Sequence, residues 1–172
     1  QANVPYAVIG GFGVQYWGEA RTTVDVDVVV MVPLDAQESF IDNVLNQFRP
    51  RIPNARDFAS RNRVLLVATN DGVPIDIALG IPGYEEEVMR RARPVSLADV
   101  GTVRVISAED LIIHKCVANR PRDIEDVERI LIRQRLKLDM GYIRRWLTEF
   151  GHILERDMLL PFEESLKTAR RA

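Results

Sequence analysis

The sequence predicts a mixed α/β fold of the α+β type, in which a mixed β-sheet is flanked by helices and followed by a helical C-terminal region. Val24–Val32 is almost entirely β-branched, as buried strands are. Arg63–Thr69 and Val73–Leu79 are apolar runs joined by an Asn-Asp-Gly turn, which is typical of a β-hairpin. After Ser107 the strand signals end, and apolar residues recur at helical spacing.

The other elements follow the same logic. Tyr6–Ile9 is a short apolar strand that ends at Gly10-Gly11, and we expect a brief helix over Phe12–Trp17. Asp35–Phe48 has the apolar spacing of an amphipathic helix. The segment Arg49–Arg63 is polar and irregular. We further predict a helix over Tyr84–Arg93 and an edge strand over Val103–Ile106.

The C-terminal region begins where Ser107 and Asp110 form a helix-start pattern, in which a short oxygen-bearing side chain caps free N–H groups. Pro121 is placed to begin a second helix. We therefore divide the chain into an α/β core over 1–106 and a helical region over 107–172. The predicted helices of this region cover 108–119, 122–135, 139–151 and 155–170.

Composition narrows the class of protein. The 172 residues are 47% hydrophobic and 28% charged, which fits a globular domain with a substantial core and excludes a disordered, collagenous or disulfide-built chain. The net charge of −2 gives no general attraction to nucleic acid or membrane. A lone Cys116 excludes an internal disulfide and indicates a reducing compartment, so we expect a cytoplasmic location.

Targeting signals are not recognisable in the sequence. No apolar stretch reaches the roughly 18 residues of a membrane span, and the N-terminal residues lack the basic and apolar regions of a signal peptide. Because the chain begins with Gln1 rather than Met, we expect it to start inside a longer gene product.

Two acidic residues interrupt the strongest strand. Asp25 and Asp27 are alternate residues, so their carboxylates project from one face. Two like charges on a core strand are costly unless something positive compensates them, and Mg²⁺ with oxygen ligands does so most simply. The alternative is a solvated strand end with two surface carboxylates.

Asp76 is a third carboxylate in an apolar strand. If the hairpin strand neighbours Val24–Val32 in the sheet, Asp76 joins Asp25 and Asp27 on one face. Three convergent carboxylates suit a two-ion magnesium site for phosphoryl transfer, with Asp76 as general base for an acceptor hydroxyl. The alternative is an ordinary strand-edge residue near a turn.

Gly10-Gly11 lies between a strand and a helix, where exposed backbone N–H groups form a natural seat for phosphate. The pair alone also fits a simple turn. The P-loop motif is absent from the sequence, which argues against a P-loop ATPase or kinase.

These residues carry a family resemblance. Val8–Gly11, Gly18, Arg21-Thr22 and Asp25–Asp27 together resemble the nucleotidyltransferase superfamily of polymerase-β-like fold. More narrowly, the segments 109–115 and 120–127 resemble the AbiEii toxin-like branch of that superfamily. The resemblance covers the chain from about residue 6 to residue 131.

The resemblance implies an NTP substrate such as ATP and Mg²⁺ held by the three aspartates. The implied catalytic residues are Asp25, Asp27, Asp76 and Lys115, and the implied nucleotide-binding residues are Gly10, Gly11, Arg21, Thr22, Lys115, Asp123 and Asp126. From the residues alone, Lys115 also fits a solvated helical lysine. Asp123 and Asp126 also fit acids that the helix macrodipole favours at an N-terminus.

We therefore expect a Mg²⁺-dependent enzyme that moves NMP from an NTP to a hydroxyl acceptor and releases pyrophosphate. The AbiEii resemblance implies a toxin-like role in a toxin–antitoxin or phage-defence system, with a tRNA 3′ end as acceptor and an antitoxin as protein partner. A small-molecule acceptor, as in antibiotic-modifying nucleotidyltransferases, suits the same site. The alternatives are a catalytically inert member that binds nucleotide or protein, and a helical interaction protein.

A basic stretch bears on the RNA hypothesis. Eight Lys and Arg residues stand against five acids between Arg120 and Arg145. This excess can guide an RNA acceptor, and it equally fits a solvated helix surface with internal salt bridges.

Overall fold

A computed structural model describes residues 4–98, 101–135 and 137–172. It confirms the predicted mixed α/β fold. The strands are β1 (Tyr6–Val8), β2 (Val26–Val30), β3 (Arg49–Pro50), β4 (Val64–Ala68), β5 (Pro74–Leu79), β6 (Arg93–Leu97) and β7 (Gly101–Val105). The α-helices are α1 (Gly10–Trp17), α2 (Gln37–Gln47), α3 (Ala55–Asn62), α4 (Tyr84–Arg91), α5 (Ala108–Ala118), α6 (Pro121–Arg133), α7 (Met140–Leu154) and α8 (Leu159–Ala169), and a 3₁₀ helix over Leu34–Ala36 precedes α2.

The described chain forms two compact units. The first unit contains the residues up to Phe12 and the segment Thr22–Ile106, and the second contains Gly13–Arg21 and the residues from Ser107 onward. The sequence pattern alone places the segment Gly13–Arg21 in the α/β core over 1–106. Its grouping with the C-terminal helices depends on long-range packing, which local patterns do not reveal.

The first unit is built on a sheet with strand order β3-β4-β5-β2-β1-β7-β6. The predicted hairpin is confirmed, because β4 and β5 pair antiparallel, and β5 also pairs parallel with β2. Helices α2 and α3 supply part of the core over one sheet face. The buried side chains there are Val30, Val32, Ile41, Val44, Ala55, Ala59, Leu65, Val67, Ile77 and Leu79.

One predicted strand was misplaced in the sheet. The segment Val103–Ile106 was expected at an edge, but β7 pairs with both β1 and β6, and β6 is the edge strand. The predicted helix over Tyr84–Arg93 extends too far, since α4 ends at Arg91 and Arg93 is the first residue of β6. Because a proline disfavours helical dihedrals at the residue before it, Pro94 keeps Arg93 out of the helix. An edge strand also tolerates the missing N–H of proline.

The segment Arg49–Arg63 is more regular than its sequence indicates. It contains β3 and α3, and Asn54 and Arg63 on either side of α3 have positive φ angles of 53° and 57°. Hydrogen bonds hold Arg63 in this conformation, since its side chain donates to the carbonyl oxygens of Leu79 and Gly80 at 3.0 and 2.8 Å. Such a contact between distant segments cannot be read from local propensity.

The second unit packs the C-terminal helices around a shared core. Ser107 caps α5 as predicted, since its Oγ accepts a hydrogen bond from the backbone N–H of Asp110 at 3.1 Å, and Pro121 is the first residue of α6. At the end of α1, the side chain of Arg133 donates to the carbonyl oxygen of Gly18 and that of Gln134 donates to the carbonyl oxygen of Trp17, both at 2.7 Å. These bonds satisfy groups that a helix end leaves unpaired. The large, fully buried side chains of this unit include Leu111, Ile112, Ile113, Ile130, Leu131, Ile143, Leu147, Met158 and Phe162. Among the described helices, none has both the length and the apolar character that crossing a bilayer requires.

The His114 side chain gives this protein a predicted pH dependence of stability. Burial lowers its pKa from 6.5 to about 4, against the opposing attraction of Asp110. The unfolded chain therefore takes up a proton below pH 6.5 that the folded chain does not. We expect the free energy of unfolding to fall by about 1–2 kcal/mol between pH 7 and pH 5 from this group, as measured by urea titration.

The matched comparison uses the two histidines of the sequence. His114→Gln should flatten the pH dependence, whereas His152→Gln, at an exposed position, should leave it as in the wild type. Equal slopes in all three proteins would contradict the assignment to His114.

Candidate active site

Three carboxylates meet near the starts of β2 and β5 because these two strands pair side by side. These strands run parallel with Asp27 opposite Asp76, and Asp25 lies just before β2, two residues from Asp27. One carboxylate oxygen from each residue lies within 4.8 Å of the others. We call Asp25, Asp27 and Asp76 the aspartate cluster.

The cluster is half-buried, and hydrogen-bond donors lie against two of its carboxylates. Thr23 Oγ1 donates to Asp25 Oδ1 at 3.0 Å, and an Nη of Arg51 lies 2.6 Å from Asp76 Oδ1. Burial raises the pKa of Asp76, Arg51 opposes that rise, and the charge of Asp25 adds to it, with a net upward shift. The guanidinium of Arg51 thus offsets part of the charge at Asp76.

This donor set fits a hard divalent cation. All three ligand atoms are carboxylate oxygens, which Mg²⁺ prefers, and Mg²⁺–O distances of about 2.1 Å place two ligands of one ion at most about 4.2 Å apart. The oxygens of the aspartate cluster approach that separation. A side-chain adjustment of less than about 1 Å brings them within reach of one ion.

The two glycines at the start of α1 lie directly against this cluster. Gly10 has φ +58°, and a Cβ there would lie 1.9 Å from Asp27 Oδ2. A Cβ on Gly11 would lie 2.5 Å from Thr23 Oγ1. Only glycine therefore lets the first turn of α1, whose backbone N–H groups have no partner within the helix, approach these side chains so closely.

Sequence reasoning missed Arg51. Its side chain is 29% exposed and reaches Asp76 from the segment after β3. No motif marks this arginine, since the pairing of the two-residue strand β3 with β4 is what brings its side chain within reach of Asp76 on β5. Its place at the site follows from the fold alone.

The other predicted site residues gather in the second unit, apart from Thr22, which is exposed in the first. Lys115 Nζ lies 2.7 Å from Asp123 Oδ1 and 3.0 Å from Asp126 Oδ2. Arg21 donates to both oxygens of Asp126 at 3.0 Å, and Arg120 Nε lies 2.6 Å from Asp123. We call these five residues the buried ion-pair network.

Both carboxylates of the buried ion-pair network are compensated within the second unit. Asp126 is fully buried, and the side chain of Lys115 is only 8% exposed, so the interpretation of Lys115 as a solvated lysine is wrong. Burial by itself would raise the pKa of Asp123, but hydrogen bonds from Arg120 and Lys115 outweigh it and lower the pKa. The network links α5 to the first two turns of α6.

The basic stretch from Arg120 to Arg145 is largely engaged within the second unit. Arg129 pairs with Glu19 and Glu125, and Arg144 pairs with Glu163 at 2.7 Å. These contacts favour the salt-bridged helix surface over an open basic patch for RNA.

Comparisons with known proteins agree with this geometry. Residues 1–158 match the family described as a nucleotidyltransferase of unknown function (DUF6036). No protein of curated function matches the sequence.

Two solved structures are similar to the chain in fold. One is an antigenic nucleotidyltransferase-like protein from Paracoccidioides brasiliensis, with 15% identity, a TM-score of 0.52, and coverage of 96% of this chain and 85% of that one. The other is the antibiotic-resistance factor ANT(2'')-Ia, with 15% identity, a TM-score of 0.53, and coverage of 89% and 85%.

The contact between Gly10 and Asp27 predicts a selective effect of alanine. Gly72 also has positive φ but nothing within 4 Å of an added Cβ, so Gly72→Ala should cost only the left-handed strain of about 1–2 kcal/mol. Gly10→Ala should cost about 1–3 kcal/mol more because of overpacking. It should also weaken Mn²⁺ binding as measured by titration calorimetry, and equal effects of the two variants would contradict the contact.

The buried ion-pair network predicts that Lys115 is needed for stability. Lys115→Met leaves two buried carboxylates with less compensation, and we expect a loss of about 3 kcal/mol in urea unfolding. Lys167→Met, at an exposed helical position, should stay within about 0.5 kcal/mol of the wild type. A Lys115 variant of full stability would contradict this role.

Proposed function

The chain belongs to the nucleotidyltransferase family DUF6036, and on that premise we propose that it transfers NMP from an NTP to a hydroxyl acceptor with the aspartate cluster as its metal and catalytic centre. The observation that supports this most directly is the convergence of Asp25, Asp27 and Asp76 within 4.8 Å. The fold, shared with two nucleotidyltransferase-like structures, supports it independently.

In this proposal Asp25 and Asp27 hold Mg²⁺ together with Asp76. A bound divalent cation supplies positive charge that stabilises the phosphoryl oxygens as negative charge develops there. The backbone N–H groups of Gly10 and Gly11 orient the triphosphate. Their position against Asp27 and Thr23 supports this assignment.

Asp76 acts as the proton acceptor. It takes the proton from the acceptor hydroxyl, the hydroxyl oxygen forms a bond to the α-phosphorus, and the bond from that phosphorus to the bridging oxygen breaks. Pyrophosphate leaves with the bonding electrons. The raised pKa of Asp76 is consistent with this role, since a more basic carboxylate accepts a proton more readily.

The predicted nucleotide contacts of Arg21, Thr22, Lys115, Asp123 and Asp126 stay predictions. In the structure the cations Lys115 and Arg21 are held by buried carboxylates. This arrangement favours a structural role for the network.

We consider two classes of acceptor for this reaction. A tRNA 3′ end, a toxin-like role and an antitoxin partner follow from the AbiEii resemblance, and a small-molecule acceptor is equally consistent with the fold. One of the similar structures is an antibiotic-resistance factor, so the assay also includes small-molecule acceptors.

The test is transfer of label from each α-³²P NTP, with Mg²⁺, to total RNA and to a panel of small hydroxyl compounds. We expect labelled acceptor from the wild type and a loss of at least about 100-fold in Asp76→Asn. Asp25→Asn and Asp27→Asn should behave in the same way. Asp35→Asn removes an exposed carboxylate elsewhere in the first unit and should transfer at the wild-type rate.

Thermal shift with Mg²⁺ and each NTP separates the alternatives. Stabilisation without transfer would indicate an inert nucleotide-binding member, and neither stabilisation nor transfer would overturn the proposal. Loss of transfer in Asp35→Asn would show that the aspartate cluster is not the specific centre.

A further inference from the structure

A row of paired residues connects the aspartate cluster to an edge of the sheet. Asp27 pairs with Asp76, and Asp76 pairs with Leu66. The backbone N–H of Arg51 donates to the carbonyl oxygen of Leu66 at 3.0 Å, directly after the pairs that β3 makes with β4. Arg51, Leu66, Asp76 and Asp27 therefore lie side by side across four neighbouring segments.

Two arginines share the sheet face of the carboxylates. Directly opposite residues of neighbouring strands project from the same face, and so do alternate residues of one strand. The salt bridge to Asp76 shows that Arg51 reaches this face, and Ile52 packs on the opposite face against the α2–α3 core. Arg49, two residues before Arg51 and exposed, follows the same alternation.

The order of the strands indicates on which side of β2 the acceptor binds. Gly10-Gly11 follows β1, on one side of β2, whereas Asp76 is on β5, on the other side. With the triphosphate at the glycines, the attacking hydroxyl approaches Asp76. The two arginines lie beyond Asp76 in the same direction, at the β3 edge.

From this layout we propose that Arg49 and Arg51 bind a phosphate of the acceptor, so that the acceptor is a hydroxyl compound with a phosphate near the attacking oxygen. The inference rests on the proposed function and specifies its substrate class. The guanidinium fork matches phosphate oxygens geometrically. Two cations beside the attacking hydroxyl disfavour a polycationic acceptor.

Arg51 retains donors for this contact. Its bond to Asp76 uses a single Nη, and within the described part of the chain none of the other residues accepts from its Nε or its second Nη. A guanidinium held beside the general base is thus placed to bridge the carboxylate and an incoming phosphate.

The experiment compares acceptors that differ in phosphate. The full chain is assayed for label transfer to a dinucleoside monophosphate, a nucleoside 5′-monophosphate, the uncharged nucleoside and a polyamine-substituted polyol. The first two distinguish a nucleic-acid end from a phosphorylated small molecule. Direct binding of the same compounds by calorimetry runs in parallel, so that the inference is tested even if no transfer occurs.

The variants are Arg49→Gln, Arg51→Gln and the control Arg93→Gln. Arg93 is matched because it is an exposed arginine followed by proline at the start of the opposite edge strand, β6. Each of the first two variants should raise the KM and Kd of the phosphate-bearing acceptors about 10- to 100-fold, with the KM for NTP and the binding of the uncharged nucleoside unchanged. Arg93→Gln should match the wild type throughout.

Several results would overturn the inference. These are preference for the uncharged nucleoside or the polyamine compound, an equal loss in Arg93→Gln, or a loss in Arg51→Gln that lowers kcat equally for every acceptor. The last would show that Arg51 acts only through Asp76, whereas Arg49→Gln tests phosphate binding without that contact. Failure of transfer with intact phosphate-dependent binding would count against the proposed reaction and support this site.

Discussion

The parallel pairing of β2 with β5 is the constraint on which the candidate site depends. It places Asp76 directly beside Asp27 and brings a third carboxylate to the pair that the strand start already supplies. Like charges at this separation repel, and the half-buried setting strengthens the repulsion. The guanidinium of Arg51 offsets part of it at Asp76. The convergence of three carboxylates is costly for stability and suits the binding of a cation.

A steric constraint accompanies the electrostatic one. The first turn of α1 lies so close to Asp27 that no side chain fits at Gly10. The same closeness puts helix N–H groups, which attract anions, next to carboxylates, which repel them. A negatively charged ligand can bind there only with a cation between it and the carboxylates. The glycines and the aspartates are therefore complementary parts, since an anion at the helix start and a cation at the carboxylates neutralise each other.

The sequence predicts the strands and residues whose signals are local. The β-branched run of β2, the hairpin and the acids at Asp25, Asp27 and Asp76 could all be identified, because strand alternation and turn chemistry act over a few residues. Other features could not. The strand β6, the grouping of Gly13–Arg21 with the second unit and the contact of Arg51 with Asp76 each depend on long-range pairing.

The two groups of acids differ in how their negative charge is compensated. In the buried ion-pair network, two carboxylates meet three cations at distances of 2.6–3.0 Å, so both carboxylates are compensated within the second unit. In the aspartate cluster, three half-buried carboxylates converge, and the guanidinium of Arg51 lies beside Asp76. Convergent charge of one sign is retained in a fold only at a cost in stability, and it suits the aspartate cluster to binding a cation.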